Sequence, residues 1–391
     1  MNAVSHLPAD VDHATLVGRV WVPGPQGGPS TVVVKEGMVF DISAHAPTMA
    51  DLLDREDCAG FVRRVTGAPI GPVDELIHNS LARSPESAAP VLCAPCDVQT
   101  VKASGVTFIV SLLERLIEER AGGDARQAQA IRDSLQQSIG AELSSVRPGS
   151  DSARQLKREL VRRGEWSQYL EVAIGPDAEI FSKAPPMASV GLGDRIGLHP
   201  DSRWNNPEPE IVLAVDSRGR ARGATLGNDV NLRDIEGRSA LLLGRAKDNN
   251  GSCAIGPFIR LFDAHYTLDS VRRAEVSLLI EGLDGFRLEA VSRMDLISRD
   301  PLDLVNQAYG DHHQYPDGFM LFLGTMFSPV QDRETPGAGF THHLGDIVTI
   351  SSPLLGALVN EVQLSTEIPR WTFGVRALYR NLGARGLLLP A

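Results

Sequence analysis

Trp204-Asn-Asn-Pro-Glu208-Pro-Glu210-Ile-Val-Leu-Ala-Val215, followed by Leu226-Gly-Asn-Asp229-Val-Asn-Leu-Arg-Asp234, is the stretch whose reading decides the fold. Glu208 and Glu210 stand at i and i+2. Side chains of an extended strand alternate faces, so both carboxylates point the same way. The apolar run Ile211–Val215 continues that strand. The polar turn Asp216-Ser-Arg-Gly-Arg220 predicts a hairpin whose second strand covers about Ala221 to Gly227. Asp229 then arrives at the strand end beside the glutamate pair. An isolated Glu-x-Glu is ordinarily a solvated strand face. Here three convergent acids without a balancing arginine would repel, and a hard divalent cation with oxygen ligands resolves that repulsion. The expected metal ligands are therefore Glu208, Glu210 and Asp229. Lys247 follows, with the turn residues Asn249-Asn250-Gly251 and then Gly256-Pro257. A lysine near such a site offsets charge on an anionic substrate; a surface position is its bland alternative.

Composition bounds the reading. At 391 residues and 42% hydrophobic, the chain can bury a large core, and we expect two domains. A net charge of -11 and a pI near 5.4 disfavour nucleic acid or an anionic membrane as partner. No run reaches the roughly twenty apolar residues of a membrane span. The beginning of the chain lacks the basic and apolar regions of a signal peptide, so a cytoplasmic location is expected. Four cysteines are too few for a disulfide scaffold, and Cys93-Ala-Pro-Cys96 has no second pair at zinc spacing. Reduced thiols are the plain reading.

Along the chain, Thr15–Val22, Ser30–Lys35 and Met38–Ile42 read as strands, and Met49–Asp54 as a short helix. A strong helix is predicted from about Val106 to Ala121, stopped by Gly122-Gly123. Its expected core stripe is Val106, Ile109, Val110, Leu113, Leu116 and Ile117. Phe108, Ser111 and Arg115 lie together on the opposite face. That face is either a second packing surface or the wall of a polar pocket. Arg115 there either grips a carboxylate or pairs with Glu118 or Glu119. More helix is expected to about Ile139 and over Ser152–Arg163, with short strands and turns from Gln168 onward. His312-His313 and His342-His343 make poor chelates, because neighbours on a strand face opposite sides.

Taken in order, these segments resemble the fumarylacetoacetate hydrolase superfamily. The carriers are the Glu208-x-Glu210…Asp229 acids, Lys247 before a Gly-Pro turn, Ile180-Phe-Ser-Lys183-Ala-Pro185, Gly324-Thr325, Gly345-Asp346-Ile-Val and Gly356-Ala-Leu-Val-Asn360-Glu-Val. They span roughly residues 165–365, and Leu16–Ser43 is similar to the family's small N-terminal β unit. Asp229 and Lys247 are eighteen residues apart, which resembles the branch that dehydrates 2-keto-3-deoxy-pentonates (D-xylonate or D-arabinonate) to 2-oxoglutarate semialdehyde. Ala184 stands where the family's strand has proline. The His-x-x-Glu dyad with which the superfamily's carbon–carbon hydrolases activate water is missing, which favours a lyase.

The resemblance implies an α+β fold: a small N-terminal β/α domain over residues 1–165 and a C-terminal metal-binding mixed β-roll over 166–391. It implies Mg2+, with Mn2+ as the alternative ion, a homodimer or homotetramer, and a small sugar acid as substrate. It places Phe108, Ser111, Arg115, Lys183 and Thr325 among the substrate contacts. Lys247 would hydrogen-bond the keto or carboxylate oxygen. Removal of a C3 proton needs a general base. Glu142, before the Pro148-Gly149 turn, is the first candidate, and Glu114 the second. The same metal site would also suit a carbon–carbon hydrolase or decarboxylase acting on a 2,4-diketo acid, or a non-catalytic keto-acid binder.

Overall fold

The computed structural model describes residues 5–82, 88–132, 146–327, 329–333 and 339–388. Its N-terminal strands are β1 Leu16–Val22, β2 Gly28–Lys35, β3 Met38–Asp41, β4 Ala68–Pro72, β5 Val91–Cys93 and β6 Thr100–Gly105. Between and after them lie α1 Met49–Leu53, α2 Cys58–Arg64, α3 Val73–Ala82, α4 Ile109–Ala121, α5 Asp151–Arg163 and α6 Gln168–Ile174. The later strands are β7 Glu179–Ala184, β8 Arg195–Leu198, β9 Pro209–Val215, β10 Ala221–Asp229 and β11 Cys253–Leu261. They are followed by β12 Glu275–Glu281, β13 Arg287–Arg293, β14 Phe319–Phe322, β15 Ile347–Ser352 and β16 Gly356–Leu364. Two short helices, α7 Arg233–Glu236 and α8 Leu243–Lys247, link β10 to β11.

Among the described residues the strands form two sheets. The larger runs β4-β3-β2-β1-β11-β10-β9-β14-β6-β7, with β5 paired to β1. The smaller runs β13-β12-β15-β16-β8. Strands from the N-terminal third therefore share one sheet with the metal-candidate strands, through the antiparallel β1–β11 pairing. The expected hairpin is present: β9 pairs antiparallel with β10, with Glu210 opposite Gly227. Asp216 fixes its turn by accepting from the Arg218 and Arg220 amides and the Arg220 guanidinium. Both strands are buried along nearly their whole length, as central strands covered on two faces must be.

The long helix differs from its expectation in two ways. It starts at Ile109, with Phe108 in extended conformation as its N-cap residue. Val106 lies at a positive φ of 55°, a conformation that cannot continue a right-handed helix. The expected stripe is also displaced. Val110 is 47% exposed, whereas Ser111, Glu114, Arg115 and Glu118 are buried beside Leu112, Leu116 and Ile117. The charges of the polar face are buried and paired, by Arg233 and Glu236 of α7 and by Arg132 and Glu208. A second difference is α6, where the pattern predicted strands and turns. Ser167 accepts from the Tyr169 and Leu170 amides at its N-terminus, and Tyr169, Leu170, Ala173 and Ile174 pack against α4.

Candidate active site

Backbone pairing assembles the three acids. The Asp229 amide donates to the Glu208 carbonyl at 3.0 Å, so the two residues face each other across β9 and β10. Asn228 Oδ1 accepts from the Glu208 amide and fixes the entry to β9. One carboxylate oxygen from each of Glu208, Glu210 and Asp229 lies within 4.8 Å of the others, and all three residues are buried.

The acids are not as alone as their sequence suggested. Arg115 Nη2 donates to Glu208 Oε1 at 2.5 Å. Lys247 Nζ sits between the strands, 2.5 Å from Glu208 Oε2 and 3.2 Å from Asp229 Oδ2. Lys183 Nζ lies 2.7 Å from Asp229 Oδ1, and it also donates to the Val230 and Lys247 carbonyls. Lysine and arginine thus reach the acids from β7, α8 and α4. The absence of a balancing arginine, expected from the local sequence, is corrected by Arg115, 93 residues upstream of Glu208.

Glu210 differs from its neighbours. Among the described residues it has no ion pair, and its Oε2 accepts from the Gly324 amide at 2.6 Å. Burial, then Asp229 and Glu208, hold its carboxyl well above the usual carboxylate range. Gly324 can approach because it adopts φ 97° and carries no side chain; a β carbon there would lie 1.9 Å from Thr107 Oγ1. Lys247 shows the converse. Burial alone would discharge it, but Asp229, Glu208 and Glu236 outweigh burial and keep the ammonium charged.

The other expected site residues fall as follows. Phe108 is buried, and Ser111 Oγ donates to the Phe108 carbonyl within its own helix. Thr325 Oγ1 lies within 3.4 Å of the Pro209 carbonyl and 3.2 Å of the Phe327 carbonyl. A cleft of about 840 Å³ opens beside Phe108, Met326 and Phe327. Glu142 lies outside the described residues. Glu114 has both carboxylate oxygens gripped: Arg132 Nε is at 3.0 Å, Arg132 Nη2 at 2.9 Å and Arg233 Nη2 at 2.6 Å. Burial would raise its pKa, but the two guanidiniums outweigh that and lower it. His342 is buried against Asp346, with Nδ1 3.1 Å from Oδ2, and His343 lies 3.2 Å from Asp284. Neither joins the acids.

Sequence reading missed one carboxylate. Glu179 opens β7, four residues before Lys183. It is half-buried and, among the described residues, its carboxylate makes no hydrogen bond or ion pair. Its pKa is raised by burial, against the charges of Arg115 and Lys247 and together with those of Glu208 and Asp229. Its Oε2 lies over Gly105, where a β carbon would come within 2.0 Å. The i, i+4 spacing to Lys183 was the available signal.

No family model matches the chain. Two curated proteins are similar to about half of the chain. One is the 2-dehydro-3-deoxy-D-arabinonate dehydratase of Saccharolobus solfataricus, 31% identical over 198 residues, 49% of this chain and 60% of that protein. The other is a probable 2-keto-3-deoxyxylonate dehydratase of Haloferax volcanii, 31% identical over 194 residues, 50% of this chain and 63% of that protein. The match thus spans less than two thirds of either relative. The fold is similar to that of 2-keto-3-deoxy-D-arabinonate dehydratase complexed with magnesium and 2,5-dioxopentanoate, with TM-score 0.60 and 22% identity over 90% of this chain and 99% of that one. The α+β class with its mixed β architecture is therefore the observed fold.

Proposed function

We propose that the chain dehydrates a 2-keto-3-deoxy-pentonate to 2,5-dioxopentanoate at a divalent metal held by Glu208, Glu210 and Asp229. Charge carries this reading. The cluster sets Glu114, Glu118, Glu179, Glu208, Glu210, Asp229 and Glu236 against Arg115, Arg132, Arg233, Lys183 and Lys247, so with every carboxyl ionised, which the raised Glu210 and Glu179 resist without a further cation, two negative charges are unmatched. A divalent cation supplies that deficit, and hard oxygen donors suit Mg2+ or Mn2+. The Lys247 ammonium between Glu208 and Asp229 is a stand-in for such a cation. The similarity to sugar-acid dehydratases supplies the substrate class.

When bound, the ion supplies Lewis-acid polarisation of a keto acid's carbonyl. The chain's own groups divide the remaining work. Glu179, unpaired and less acidic than a free carboxyl, is the base we assign to the C3 proton, ahead of Glu142 and Glu114. Lys247 donates to the keto or carboxylate oxygen once displaced from between the acids. The C4 hydroxyl leaves as water with a proton. A C5 proton then departs and C3 regains one, giving the C4–C5 enol, which loses its hydroxyl proton and gains one at C4 to become the aldehyde. Phe108 and Ser111 line the substrate side, and Thr325 reaches it from the Gly324-Thr325 turn. Arg115 and Lys183 act through the carboxylates they hold. The part before residue 165 supplies α4 as the substrate wall, and the part after it supplies the metal strands and Glu179. Among the described residues no helix is long and apolar enough to cross a membrane; we place the enzyme in the cytoplasm as a homodimer or homotetramer.

NMR of the protein with Mg2+ and 2-keto-3-deoxy-D-pentonate tests the reading. The expected result is the aldehyde resonance of 2,5-dioxopentanoate, lost on chelation and restored by Mg2+. Full turnover after exhaustive chelation, or pyruvate released from a 2,4-diketo acid in its place, would overturn it.

A further inference from the structure

The contact between α4 and α7 is a reciprocal exchange of buried charges. From α7, Arg233 sends Nη2 to Glu114 Oε2 and Nε to Glu118 Oε1 of α4, each at 2.6 Å. In return, Arg115 of α4 lies 3.0 Å from Glu236 Oε2 of α7 and pairs with Glu118 on its own helix. Two glycines let the backbones close. A β carbon at Gly123 would lie 2.5 Å from the Asp234 carbonyl, and one at Gly237 2.9 Å from the Glu118 carbonyl. The Arg233 guanidinium also stacks over the Trp204 ring, 4.3 Å from its centroid.

Arg233 therefore touches both arms of the metal strands. Trp204 lies four residues before Glu208, and Arg233 four residues after Asp229. Its side chain is 2% exposed. The pair Glu118 and Glu236 in turn aims Arg115 at Glu208 Oε1, which leaves Oε2 to Lys247 Nζ, the same ammonium that reaches Asp229 Oδ2.

We propose that Arg233, through Glu118 and Arg115, is a positioning residue for the metal centre: its forked guanidinium sets the seat of α4, and that seat fixes the orientation of the Glu208 carboxylate. This rests on the metal reading given above. A carboxylate held at one oxygen by a charged donor presents the other with a defined direction. Losing such an outer contact typically weakens metal binding about 10–100-fold. Charge alone makes a different prediction. Arg233→Lys keeps the charge and loses the fork, so a purely electrostatic role leaves metal affinity unchanged. Arg233→Met removes a positive charge, so electrostatics alone would tighten binding.

The experiment titrates Mn2+ into wild type, Arg233→Lys, Arg233→Met and Glu118→Gln by EPR of free and bound ion, with circular dichroism as the check on folding. We expect all three variants to bind Mn2+ about 10–100-fold more weakly, with a broadened bound-ion spectrum. Unchanged affinity in Arg233→Lys, or tighter binding in Arg233→Met, overturns the positioning role. If both Arg233 variants unfold, Glu118→Gln decides alone: wild-type affinity with an unaltered spectrum refutes the proposal. Wild type that binds no Mn2+ would instead sink the metal reading itself, before any variant is compared.

Discussion

Lys247→Met separates the two cations that compete for one place. Lys247 Nζ stands 2.5 Å from Glu208 and 3.2 Å from Asp229, and it is 2% exposed. At an effective dielectric near 20, each contact contributes roughly 5–7 kcal/mol of attraction, most of it offset by the cost of burying the charges. Breaking such a pair from one side costs about 3–5 kcal/mol. With about 2.1 cal/mol/K of unfolding entropy per residue, this lowers Tm of a chain this long by roughly 4–6 °C. Metal should reverse the loss. In wild type an incoming ion must move an ammonium aside, whereas in the variant it meets Glu208 and Asp229 with one oxygen each released, the others still held by Arg115 and Lys183. A hundredfold excess over Kd stabilises by about 2.7 kcal/mol, and each tenfold tightening adds about 1.4 kcal/mol. Scanning calorimetry with and without Mn2+ reads both effects. The metal-free variant should melt below wild type, and Mn2+ should raise its Tm by more than it raises that of wild type, while turnover is lost. A Mn2+-induced rise no larger than in wild type would refute the idea that Lys247 occupies the cation's place.

Glu179→Gln should abolish exchange of the C3 protons of pyruvate into deuterated water, by about 10²–10⁴-fold, while Mn2+ affinity persists; unaltered exchange, with loss in Glu142→Gln instead, would transfer the role. Gly105→Ala should slow the same exchange, because its β carbon meets Glu179 Oε2 at 2.0 Å; an unslowed variant would mean the carboxylate is not held there. Glu114→Gln should lower stability by about 3–5 kcal/mol in urea denaturation, since it strands two buried guanidiniums, and should leave exchange per folded molecule intact. Asp346→Asn should also cost about 3–5 kcal/mol at pH 7, because His342 loses its charged partner and the buried Arg333 keeps only one of its two carboxylates, Asp284. Burial would raise the Asp346 pKa, but His342 and Arg333 outweigh it and hold the value at about 2. The folded carboxyl is thus more acidic than the unfolded one near 3.9. Wild type's advantage is full above that unfolded value and fades as pH falls toward about 2. Urea midpoints at pH 7 and pH 3 check the sign, and an equal gap at both would contradict it.

Local pattern determined the parts whose causes are local. The alternation Glu208-Pro-Glu210, the apolar runs beyond it and the turn at Asp216–Arg220 made the β9–β10 hairpin legible, and with it the meeting of Glu208, Glu210 and Asp229. The N-terminal strands β1, β2 and β3 were legible for the same reason. What the sequence could not give was which distant side chains share a volume. A helix read from its apolar stripe leaves the role of its other face open, so the face of Ser111 and Arg115 fitted a second packing surface or a pocket wall equally well. The charges on that face are buried because Arg233 and Glu236 of α7, together with Arg132 and Glu208, come against them, since an unpaired charge would not survive there. Glu179 was invisible as an unpaired carboxylate because its isolation is a property of the space around Gly105, not of its neighbours in the chain. Periodicity reports which way a side chain points; only the packed fold decides what it meets, and at a charged site that meeting sets the chemistry.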